Sequence, residues 1–136
     1  MQRVAPLLLV PALLAACAER ANHSQLADSS WRFELIDGQR PSSSDATVQF
    51  QRGKIGVEVG CNRLGGPWRM DDNRLVAGPL AQSEVACSEP SWDQESAVSA
   101  LLVATPRVVM DGDRMTIQSS GHTAELVRID AAPSGD

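Results

Sequence analysis

A period of two runs through most of this chain. Trp31, Phe33 and Leu35 alternate with Arg32 and Glu34, and Ile55, Val57 and Val59 again take every second position. That is the spacing of strands with one face buried and the other in water. Turn chemistry separates the runs. Asp37-Gly38 ends the first, Arg52-Gly53-Lys54 joins a strand at Thr47 to Gln51 to one at Ile55 to Gly60, and Asp71-Asp72-Asn73 lies between Pro67 to Met70 and Arg74 to Val76. Leu80 to Ala86 reads as a further strand. One segment departs from the pattern: Ser88 is placed to cap a helix, Pro90 suits its first turn, and the helix should run to about Ala104 before Pro106 stops it. Ala97, Ala100, Leu101 and Ala104 would form its apolar face, widened by Val98 and Leu102, with Trp92 anchoring the first turn. Arg107 to Met110, Arg114 to Gln118 and Thr123 to Ile129 then return to strands around the turn Asp111-Gly112. The order predicts a mainly β (α+β) fold, a curled antiparallel sheet or cracked β-barrel with one α-helix packed against it. No repeat of solenoid or propeller length is present.

The N-terminus reads as an address. Arg3 supplies a positive start, Val4 to Ala16 is apolar, and Leu14-Ala15-Ala16-Cys17 has the form of a bacterial lipobox. The apolar run is shorter than the ~20 residues of a membrane-spanning helix. Residues 1–16 are therefore expected to be a lipoprotein signal peptide, with Cys17 acylated after cleavage. An ordinary secretory signal with an incidental cysteine is the alternative. Ala18, where inner-membrane retention favours Asp, points to the outer membrane facing the periplasm. Residues 17–28 are polar enough to read as a flexible tether, 29–130 as the folded domain and 131–136 as a disordered tail.

The chain of 136 residues carries a net charge of −5, and the leader holds one Arg and no acid, so the mature domain is more acidic still. With no cluster of Lys or Arg it is a poor binder of nucleic acid, and the acyl chains, not charge, must provide its membrane attachment. Assigning Cys17 to lipid leaves Cys61 and Cys87 as an even pair, expected to form a disulfide in an oxidising envelope. Closing that loop stabilises a fold by about 3 kcal/mol in the chain-entropy view. A redox pair is the other reading, without the Cys-x-x-Cys spacing or basic neighbour that would favour it.

Gly60-Cys61-Asn62-Arg63-Leu64-Gly65-Gly66, with Ala86-Cys87-Ser88-Glu89 and Glu95 downstream and Trp31 with Asp37-Gly38 upstream, resembles the META/HslJ-like family of small bacterial envelope domains. The likeness runs from about Leu26 to Ile129, including the closing hairpin Met110 to Ile117. Leu64 stands where an aromatic is frequent, and Ser83-Glu84-Val85 replaces a usual Thr-Arg-Met. The resemblance implies a part in envelope integrity, stress and drug tolerance, with family-motif positions Gly60, Cys61, Asn62 and Gly66 and no established catalytic mechanism. Read as chemistry, the same residues are structural: the glycines permit close approaches, Asn62 is placed to bond nearby backbone, and Cys61 to tie the turn to the helix entrance.

No catalytic, cofactor or metal site is expected. His122 is the one histidine in the predicted domain and follows Gly121 at a turn, with no nucleophile elbow in the chain. Glu84, Glu89 and Glu95 surround the second cysteine and could form an acid–base pair, although Glu89 and Glu95 read more simply as solvated charges at a helix start. Asp71-Asp72-Asn73 and Asp111-Gly112-Asp113 lack the remaining ligands of a calcium loop, and His23, His122 and the cysteines match no zinc spacing. Trp68 and Trp92 are candidates for a ligand groove, but a chain with no Tyr and two Phe needs its indoles in the core. The expectation is a non-enzymatic, membrane-tethered domain acting through an envelope protein partner, with no cofactor. The alternative is a small-molecule or lipid-binding barrel.

Overall fold

The computed structural model describes residues 2–11, 19–86 and 88–129. Among them the strands are β1 (Glu19–Arg20), β2 (Ser29–Ile36), β3 (Thr47–Phe50), β4 (Lys54–Glu58), β5 (Arg63–Asp71), β6 (Arg74–Ala77), β7 (Ala81–Gln82), β8 (Arg107–Asp111), β9 (Arg114–Gln118) and β10 (Thr123–Arg128). The helices are α1 (His23–Leu26) and α2 (Ser91–Val103). Neighbours pair antiparallel in the order β8-β6-β5-β4-β3-β2-β10-β9, and β8 meets β9 to close an eight-stranded barrel. The closure is uneven. β8 gives its whole length to β9 but shares one register pair with β6, Arg74 with Arg107. β1 lies along the rest of that side, Glu19 opposite Met110 and Arg20 opposite Val109.

The alternation that predicted the strands also fills the bore. Trp31, Phe50, Ile55, Val57, Leu75, Met115, Ile117 and Leu126 point inward and are buried. The sequence places Leu35 on the same face as Trp31 and Phe33, but Leu35 is half-buried and Ile36 is buried instead. The cause is a bulge: Leu126 pairs with Phe33 and Glu125 with Leu35, so Glu34 has no register partner in β10 and the phase of β2 reverses beyond it. The strand expected over Leu80 to Ala86 shrinks to Ala81–Gln82, which pairs with Leu64 and Gly65.

Because the strands alternate in direction, their connections alternate between the two ends. α2 closes the end that carries the β2–β3 and β4–β5 connections, through bonds to Arg40, Ser42 and Asn62. α1 closes the opposite end, where the β3–β4 turn lies, through His23 and the Arg52 carbonyl at 2.8 Å. Residues 19–28 are thus part of the fold, which departs from the tether expected there. Asn22 and Gln25 form a reciprocal capping box, Asn22 Oδ1 accepting from Gln25 N at 3.0 Å and Asn22 N donating to Gln25 Oε1 at 3.1 Å. The box aims Leu26, fully buried, into the barrel mouth beside Ala21. His23 stacks on Trp68 at 4.6 Å, and the Trp68 indole N–H donates to the Gln51 carbonyl at 2.7 Å.

The long helix is also rotated from its expected face. Its buried residues are Gln94, Glu95, Val98, Leu101 and Leu102, while Ala97 is half-buried and Ala100, Ala104 and Trp92 are exposed. An apolar count turns Gln94 and Glu95 outward; in the structure both have partners across the barrel mouth and are retained inside. Pro90 occupies the N-cap and has no hydroxyl to offer. Ser88 accordingly serves with its carbonyl, accepting from Trp92 N at 3.3 Å, and not with its side chain.

Candidate functional site

Val59 to Asn62 is the turn between β4 and β5, and it lies under the start of α2. Gly60 is the point of contact: a Cβ there would stand 2.8 Å from the Ser91 Cβ, too close for any side chain. The absence of a side chain lets the helix settle far enough for Glu95 to reach the next residues. Its Oε1 accepts from Asn62 N at 2.6 Å and its Oε2 from Asn62 Nδ2 at 3.2 Å. Glu95 was expected to be a solvated helix-start charge; it is 4% exposed, the same figure as Asn62. A charged acceptor makes these bonds stronger than neutral ones, and its burial makes them expensive to lose.

The other side of Asn62 holds the strap that leads to the helix. Its Oδ1 accepts from Val85 N at 2.7 Å and its Nδ2 donates to Val85 O at 2.9 Å, so the side-chain amide imitates a peptide group in an antiparallel pair. Ser83 Oγ donates to Asn62 Oδ1 at 3.1 Å and accepts from Arg63 N at 2.9 Å. The Ser83-Glu84-Val85 segment, which departs from the family pattern in sequence, clamps the motif through backbone atoms and one hydroxyl. Cys61 is disulfide-bonded. Cys17 and Cys87 lie outside the described residues. Gly66 serves a different approach: a Cβ there would run into the Pro79 carbonyl, so the β6–β7 connection needs it bare. Among the described residues no buried side-chain nitrogen or oxygen lacks a partner.

The groups weighed for chemistry go separate ways. His122 Nδ1 meets Asp37 Oδ2 at 2.7 Å, and Asp37 Oδ1 accepts from Thr123 N at 2.9 Å. Desolvation pushes the Asp37 carboxyl up, but the hydrogen bonds from His122 and Thr123 and the His122 charge outweigh it and hold the group below its ordinary value. Glu89 is raised by desolvation and by Asp93, with which it shares a hydrogen bond. Glu95 is committed to Asn62, and Glu84 is exposed. No described hydrogen bond or ion pair joins Glu84, Glu89 and His122. Asp72 and Gly112 have positive φ and sit in hairpin turns, and no group of three or more His, Cys, Asp or Glu among the described residues is arranged to hold a metal. Trp68 is 5% exposed and part of the core, whereas Trp92 is 49% exposed at the helix start. No described helix is long and apolar enough to cross a membrane.

Sequence reasoning missed two partners in this region. Gln94 Oε1 accepts from Ser42 N at 2.7 Å and its Nε2 donates to Arg40 O at 2.8 Å, so α2 also holds the β2–β3 loop. Ser42 and Ser91 add a hydroxyl pair at 2.9 Å. Nothing local marks these contacts, since they join residues about half the domain apart.

A family model described as META domain matches residues 24–131. No curated protein matches the chain. Among solved structures, an NMR structure of a protein from Burkholderia xenovorans superposes with a TM-score of 0.70 at 23% identity, covering 96% of each chain. A second NMR structure gives a TM-score of 0.70 at 19% identity over 79% of this chain and 94% of that one. At such identities the two structures speak for the fold alone.

Proposed function

The chain belongs to the META domain family, and from that premise we propose that it is a lipid-anchored envelope domain that works by presenting a fixed surface to a protein partner and performs no reaction. The observation that carries this reading is the occupation of the motif. Both carboxylate oxygens of Glu95 and both side-chain polar atoms of Asn62 are engaged in holding helix to barrel. Groups so engaged are committed to holding the fold, which supports a structural role for the motif. The bore is filled by side chains such as Trp31, Phe50 and Leu26, which weighs against a ligand held inside the barrel. Pairing of Cys61 with Cys87 is part of the same proposal, because Val85, two residues before Cys87, lies against Asn62.

The lipobox at Leu14 to Cys17 supports anchoring. Several acyl chains at ~0.8 kcal/mol per buried methylene hold a protein where one chain is marginal. The family resemblance supports an envelope role under stress, and Ala18 after Cys17 supports the outer membrane as the address. Replacing Cys17→Ser should abolish labelling by radioactive palmitate and move the protein from the membrane pellet to the soluble periplasmic fraction. Retention in the pellet without label would overturn the anchoring. Crosslinking in intact cells should capture one recurrent protein partner; turnover of a substrate by the purified domain, lost in Glu95→Gln, would overturn the non-enzymatic reading.

A further inference from the structure

Against the outer face of β2, beneath the β2–β3 loop, lies a groove of about 790 Å³. Arg32 and Leu35 border it on the strand side, and Arg40, Pro41 and residues 42–44, all serines, on the loop side. Its position is set by two features of the fold. The bulge at Glu34 reverses the phase of β2 there, bringing Leu35 toward the surface, and Gln94 pins the loop wall through the Arg40 carbonyl and the Ser42 amide.

Arg32 and Arg40 are exposed, and neither takes part in an ion pair among the described residues, so the groove is bordered by two guanidiniums without a carboxylate partner there. The one carboxylate in the lining, Glu34, is neutralised by Arg114 at 3.0 Å. Ser43 Oγ accepts from Asp45 N and keeps its own proton to donate, and Ser44 Oγ makes no described hydrogen bond. Two guanidiniums and two hydroxyls supply more donors than the two oxygens of a carboxylate absorb well; they suit the three terminal oxygens of a phosphate monoester, which guanidinium also matches in shape. Leu35 and Pro41, both half-buried, add an apolar side.

We propose that this groove is a binding site for a phosphate monoester carrying an apolar group. The ligand is either a soluble phosphorylated molecule or the headgroup of an anionic lipid, which share this chemistry. The test uses the full chain carrying Cys17→Ser, so that no acyl chain contributes. Titration with n-butyl phosphate should give saturable NMR shifts at the amides of Ser43 and Ser44. Arg32→Gln with Arg40→Gln should weaken that binding at least tenfold while leaving the amide spectrum outside the groove unchanged, and Arg69→Gln, a cation elsewhere on the surface, should not change it. Should the double variant fold poorly, Arg40→Gln alone, in a loop, reads the same effect. Undiminished binding by these variants, or equally tight binding of butyrate or n-butanol, would overturn the proposal. Capture on vesicles containing phosphatidic acid but not on phosphatidylcholine, lost in the double variant, assigns a lipid headgroup; binding of n-butyl phosphate without vesicle capture assigns a soluble ligand.

Discussion

Two asparagines tie down the two ends of this barrel, and they do so in opposite surroundings. Asn62 is 4% exposed and bonds to Glu95, Val85 and Ser83, residues distant in sequence. Asn22 is exposed, and among the described residues its side-chain bonds reach Ser24 and Gln25. At the α2 end the first turns of the helix are held by buried polar groups with partners across the barrel mouth, and the later turns by Val98, Leu101 and Leu102. At the α1 end a four-residue helix is held by the buried Leu26 and by His23, which bonds the Arg52 carbonyl and stacks on Trp68, while the Asn22 side chain shapes only the helix start. The same side chain is therefore a long-range lock in one place and a local cap in the other. Its worth follows from what is stranded when it is removed.

The sharpest test of that difference is Asn62→Ala. It takes from Glu95 Oε2 its bond to Asn62 Nδ2 and from the Val85 peptide both of its bonds to the Asn62 amide, and should destabilise the domain by about 3 to 4 kcal/mol in urea unfolding. Leu26→Ala probes the α1 end and should lose about 3 kcal/mol, the range for a fully buried leucine that leaves a cavity. Asn22→Ala should lose only about 1 kcal/mol, as for a cap in water. Equal losses at Asn22 and Asn62 would break the contrast between the ends. The smallest effect belongs to the Asp37–His122 pair at the α2 end. Asp37 has its folded pKa below the ordinary 3.8, so its stabilisation is complete above that value and disappears as the pH falls through the lower folded value. Asp37→Asn should flatten the acid side of a Tm-against-pH series while changing Tm little at pH 7, its effect kept small by solvent screening of a pair this exposed.

What was legible in the sequence was whatever repeats at short range. Trp31 and Phe33, and Ile55, Val57 and Val59, declare their faces by alternation, and the Asp-rich turns mark the hairpins. Ile36 could not be read from its own strand, because the bulge that turns it inward arises from register with β10 and leaves no local mark. Glu95 was misplaced for a related reason: an acid near a helix start is ordinarily solvated, and its partner lies 33 residues away. α1 was different. Asn22-x-x-Gln25 before Leu26 is a capping-box signature and was there to be found, but averaging composition over a polar stretch hid four residues of order. At the motif, the role of Asn62 in bonding backbone followed from its residue type; which backbone it bonds did not.

The join between β6 and β8 has a mechanical consequence. A pull on the chain N-terminal to Glu19 reaches the barrel wall through two register pairs, beside a place where β6 and β8 share only one. So short a contact detaches bond by bond, giving up slack before the closed circuit of strands bears any load. Single-molecule traces pulled from the N-terminus should show that short extension as a separate early event, leaving the remaining strands to act as a shock-protected body.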